Sequence, residues 1–123
     1  MAALLCFNLP QAKMLRLGLY TDPRGILLTE VKPFLQRASI GQLLQGQAAP
    51  GKAAFTEEML VMDGFSDGQL EELLQFLRYG ACEIALKAVV TDTNRHWPAC
   101  LLAEALKNER DAFTRRSQVK PQD

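Results

Sequence analysis

Histidine and tryptophan occur once each in 123 residues, the net charge is zero, and no apolar run is long. Each absence excludes something. With His96 as the sole histidine and no Cys-x-x-Cys pair, a zinc site has almost no ligands to draw on, and no cofactor is expected. Fourteen basic residues balance fourteen acidic ones. Such a chain has no net field to hold a polyanion or an anionic membrane surface, which argues against nucleic acid as a partner. No stretch approaches the roughly 18–20 apolar residues that span a bilayer. The first ten residues lack a positive n-region and their apolar run breaks at Asn8 and Pro10, so they read as a strand, not a signal peptide. Cys6, Cys82 and Cys100 are odd in number and far apart, unlike a secreted disulfide framework, and point to a reducing cytoplasm.

What is present alternates between strand and helix patterns. Ala3 to Phe7 suits a buried strand, and Pro10 to Tyr20 a helix that Gly18 weakens. Thr21 to Gly25 is turn chemistry, Ile26 to Val31 a second strand, and Ser39 to Leu44 a short helix. Residues 46–56, rich in Gly, Ala, Gln and Pro, read as a loop. Glu58 to Met62 is the third strand. Ser66 with Gln69 then forms a capping box, in which hydroxyl and amide side chain satisfy each other's backbone N–H groups. Phe65 and Leu70 stand where a hydrophobic staple would clamp that turn. Leu70, Leu73, Leu74 and Leu77 follow at helical spacing, and Gly80 ends the helix. Ile84 to Val90 is nearly all apolar, as in a sheet covered on both faces. After a polar loop, Pro98 opens a helix to about Phe113. Residues 114–123 read as a disordered tail.

The two halves, 1–45 and 57–113, share an element order within one domain, 1–113. A shift of 56 lays Ala3 to Cys6 over Met59 to Met62, Met14 over Leu70, and Leu17 over Leu73. A helix between two strands implies parallel pairing and a right-handed crossover. The expected fold is therefore α/β: two β-α-β units forming a four-stranded, largely parallel sheet packed with helices. A ferredoxin-like α+β sandwich is the alternative, since it too is built from two such units.

The stretch Leu60 to Asp67, with its Gly64-Phe65-Ser66 helix start, precedes Leu86-Lys87-Ala88-Val89 and the Thr91, Asn94, Trp97 spacing before a Leu/Glu-rich helix. Together, over about residues 59–110, they resemble a family of small uncharacterised prokaryotic proteins, domain of unknown function 3783. The chain departs from that pattern with Pro98, where a capping Thr is common, and with a shorter, more Ala/Gln-rich middle. The resemblance implies architecture and a prokaryotic origin. It implies no activity.

Candidate sites follow from position. Parallel strands present ligands at their carboxyl ends, which here carry Asn8, then Asp63 and Gly64, then Thr91, Asp92, Asn94 and Arg95. Asp63, Lys87, Thr91, Asn94 and Trp97 are the candidate ligand-binding residues. Lys87 is either an edge-strand charge that discourages sheet pairing or an amine paired with a carboxylate such as Asp63. The Gly64 to Gln69 turn is explained by capping, because Asp63 and Asp67 would repel a phosphate. His96 and Cys100 are four apart, but Pro98 starts the helix after His96 and spoils a dyad. These residues make up no catalytic constellation. A small interaction or regulatory module is the leading expectation, binding another protein or itself as a homo-oligomer. A small-ligand sensor at the strand-end loops comes second, and an enzyme using Lys87 or a cysteine last.

Overall fold

Ala3–Phe7 forms β1 because its run of apolar side chains is covered on both faces, and every one from Leu4 to Phe7 is buried. It is one of the two central strands of a four-stranded sheet. The computed structural model describes residues 1–80 and 82–118. The chain continues through α1 (Gln11–Thr21), β2 (Leu27–Val31), α2 (Ile40–Gln45), β3 (Met59–Asp63), α3 (Asp67–Tyr79), β4 (Leu86–Val89) and α4 (Ala99–Gln118). Short 3-10 turns at Asp22–Arg24, Pro33–Leu35 and Asn94–His96 join some of them.

The strand order is β2-β1-β3-β4. β1 pairs with β2 in parallel, β3 pairs with β4 in parallel, and β1 meets β3 antiparallel. The sheet is thus mixed but mostly parallel, of the α/β class. The ferredoxin-like alternative fails because the strands joined by a helix pair directly with each other and helices cover both faces. The β1/β3 ladder centres on Leu5 opposite Val61, with Ala3 opposite Asp63 and Phe7 opposite Met59.

Alternation along the strands divides the core in two. Leu4, Cys6, Leu60 and Met62 point to one face, where they meet Leu17 and Tyr20 of α1 and Leu73 and Leu77 of α3. Leu5, Phe7, Val31, Met59 and Val61 point to the other, against Ile40 and Leu43 of α2 and Leu102 and Ala103 of α4. Each face is sealed by two helices, giving three layers.

Local chemistry fixes the helix starts. Ser66 and Gln69 form the expected capping box, and Ser39 and Gln42 form a second one at α2. Phe65 and Leu70 both pack on the α1/α3 core, as a staple requires. Pro98 precedes α4, its carbonyl accepting from Leu101 and Leu102, and it bridges Ser39.

Three expectations need correction. β4 covers only Leu86–Val89, and its apolar look misleads: it is an edge strand with Lys87 and Val89 exposed. Leu74, at a core-facing spacing in α3, is also exposed. α4 runs past Phe113 to Gln118, so part of the expected tail is helical, while residues 119–123 lie outside the described residues.

Candidate functional site

The antiparallel β1/β3 pairing decides where the strand-end loops go. Because Phe7 lies opposite Met59, Asn8 sits at the pole where β3 begins. Asp63, Gly64 and the loop after β4 sit at the opposite pole. The polar strand ends therefore do not converge on one crevice, as an all-parallel sheet would have them do.

At the β3/β4 pole, Asp63, Thr91 and Asn94 are brought together, and each is engaged in building the turn. Thr91 N–H donates to Asn94 Oδ1 (2.8 Å), Asn94 N–H donates to Thr91 Oγ1 (3.0 Å), and Asn94 Nδ2 donates to the Val89 carbonyl (3.0 Å). Asp63 is paired with Arg95 Nη2 at 3.5 Å. Trp97 is half-buried against the α2/α4 core, and its carbonyl accepts from Ile40 N–H at 3.0 Å. Lys87 does not join them. It lies opposite Leu60, on the α1/α3 face, whereas Asp63 shares the face of Val61. Its ammonium donates to the Ile84 carbonyl (2.8 Å), so the Lys87–Asp63 pair considered from sequence is not formed. Lys87 instead rims a cleft of about 630 Å³ with Lys13, Glu58, Arg78 and Glu83, in which Lys13 is bound to Glu58 and to the Glu83 carbonyl.

The opposite pole holds a polar node that sequence reasoning missed. Gln36 is fully buried. Its Oε1 accepts from the Ala54 and Phe55 N–H groups (2.7 and 2.9 Å), and its Nε2 donates to Asn8 Oδ1 (3.0 Å). Asn8, held at φ 61°, passes the network on by donating to the Phe55 and Glu57 carbonyls. The node hangs the 46–56 loop on the strand end, and among the described residues no buried side-chain polar atom is left without a hydrogen bond.

The thiols are poor nucleophiles where they are buried. Burial, with smaller contributions from Cys82 and Glu30, pushes the Cys6 thiol up to about 12, and burial raises Cys82 as well. His96 is exposed at the end of its 3-10 turn, before α4 begins at Ala99, which breaks the spacing to Cys100. Among the described residues, no group of three or more His, Cys, Asp and Glu side chains could hold a metal ion, and no helix is long and apolar enough to cross a membrane.

An exposed apolar flank lies elsewhere, along edge strand β2 and the helix above it. Leu15 and Leu19 of α1 are 63% and 79% exposed, and Leu27 of β2 is 57% exposed. Between them runs a trough of about 710 Å³, floored by Met14, Gly18, Ile26 and Leu28. Leu15 and Leu19 stand in the sequence as apolar residues of a helix. The signal that they face solvent is that they share one side of α1, away from Leu17 and Tyr20.

Architecture and surface together define a class: a three-layer α/β protein of two β-α-β units, with an apolar flank at one sheet edge and turn-building polar residues at both poles. The family described as Domain of unknown function (DUF3783) matches residues 58–113, just under half of the chain, so its second half resembles that family as the motifs indicated. No curated protein and no solved structure was found to match.

Proposed function

We propose that this protein is a small, non-catalytic interaction module whose contact surface is the α1/β2 flank. One observation carries the reading: leucines at the open edge of the sheet are turned to water, while Thr91 and Asn94 are consumed by their own turn. An exposed apolar patch beside an unpaired strand is costly to keep in a soluble protein and marks an interaction site. The strand-end sensor reading loses support because Lys87 lies on a different face from Asp63. The buried, high-pKa Cys6 and Cys82 weaken the case for a thiol enzyme.

Other features belong to this reading. The halves are an internal repeat, supported by positive-φ residues Asn8 and Gly64 that stand 56 apart, the same shift that overlays the strands. Prokaryotic origin rests on the family resemblance, and a cytoplasmic address on the free cysteines.

A native mass spectrum of the purified protein, beside a denaturing one, tests the proposal. The expected result is the 13.7 kDa subunit or its whole multiples. A small increment lost on denaturation would overturn it, and the Lys87 cleft would be the first place to look for the ligand.

A further inference from the structure

The Leu27 N–H donates to the Ala2 carbonyl (3.0 Å), and β2 lies in register with β1 from Leu27 to Val31. Strand alternation then spends the backbone groups of Leu27, Thr29 and Val31 on β1 and turns those of Leu28 and Glu30 outward. These outward groups have no ladder partner among the described residues. Such an edge accepts a strand, and the apolar trough beside it accepts an apolar helix flank on the same side.

We infer that the occupant is a second copy of this chain, its β2 pairing antiparallel with the first about a two-fold axis at Thr29. This deepens the interaction-module reading and rests on it. The register is fixed by the backbone. With Thr29 facing Thr29 of the second copy, Leu28 of each copy exchanges both N–H···O bonds with Glu30 of the other. That register pairs every outward group of the strand. Thr29 then forms a non-hydrogen-bonded pair, where Thr–Thr contacts are favourable. The axis is perpendicular to the sheet, so both α1 helices lie on one face and Leu15 and Leu19 meet their counterparts.

Charge selects this edge over the other. Glu30 is already paired with Lys32 of its own chain at 3.1 Å, which leaves the β2 edge neutral. The chain as a whole is also neutral, so two copies meet without net repulsion. The β4 edge carries exposed Lys87, whose ammonium donates to a carbonyl and stands in no ion pair among the described residues. Two β4 edges would repel each other.

Sedimentation equilibrium of the full chain should give twice 13.7 kDa, and Leu19→Glu should weaken the dimer by about tenfold or more while leaving the far-UV circular dichroism spectrum of the folded chain unchanged. The register has its own test. Under mild oxidation Thr29→Cys should form a covalent dimer faster than wild type. Leu28→Cys should not, because its counterpart lies two residues off across the axis, beyond the span of a disulfide. Equal rates for the two cysteine variants, or a dimer indifferent to Leu19→Glu, would overturn the pairing. A monomer at every concentration, with no bound increment in the native spectrum, would also overturn it and leave the broader interaction reading standing. A denaturation-sensitive increment strikes that broader reading instead.

Discussion

Tyr20 sits where the two halves touch on the α1/α3 face. Its ring stacks on Phe76 with centroids 4.5 Å apart, Arg24 lies over it at 4.0 Å, and its hydroxyl donates to Glu72. Burial first, and the Glu72 carboxylate next, raise its pKa above the ordinary 10.0. A folded-state pKa raised in this way contributes stability fully below pH 10, lost as pH rises through the folded value. Ultraviolet titration of the folded protein should show Tyr20 ionising late, and Glu72→Gln should bring it earlier. Glu72 itself is held below 4.5 by Arg24 and then Tyr20, so its contribution disappears as pH falls through that lowered value. Gln36 makes a sharper residue-scale prediction. Gln36→Ala strands the Ala54 and Phe55 N–H groups and should cost about 2–3 kcal/mol in urea unfolding. Nothing in the sequence singled out Gln36, because its partners lie 18, 19 and 28 residues away. Ser66 and Gln69 were legible because each answers the other within one turn.

Among the elements, the same contrast between local and distant chemistry holds. α3 could be read almost completely, from cap to Gly80, since its start signal, staple and leucine spacing lie in consecutive residues. Leu74 was the exception: spacing places it on the apolar stripe, but the stripe is wider than the sheet face it covers. Ser66→Ala and Ser39→Ala should each cost about 1 kcal/mol, measured by chemical denaturation. Ser39→Ala should additionally loosen the junction with α4, because Ser39 bridges Pro98 and the next residue, Ile40, bonds Trp97. A red shift of Trp97 emission at low denaturant would report it, and Ser66→Ala should produce none. The apolar composition of Ile84 to Val90 suggests a longer strand covered on both faces than the four-residue β4 of the fold. Composition does not say whether a strand is central or at an edge.

For the whole molecule, two β-α-β units and a mostly parallel sheet were legible from the alternation of periods. The order β2-β1-β3-β4 was not, since the β1/β3 contact joins segments 56 residues apart through no short connection. That antiparallel contact also dispersed the expected site by sending Asn8 and Asp63 to opposite poles. It makes the halves interdependent: each core draws strands and helices from both. Thermal unfolding should therefore be one transition, with Trp97 fluorescence and far-UV circular dichroism superimposing; two resolved steps would contradict a shared core. The exposed Lys87 on β4 has a further consequence for how far association can grow. A sheet with two receptive edges is a monomer unit for a fibre, each addition creating the next site. In the dimer proposed above, the β2 edge is the receptive one and the β4 edge carries a charge, so the unit would have a valence of one: joining through β2 would leave only Lys87-bearing edges outermost, and growth would stop at its first step.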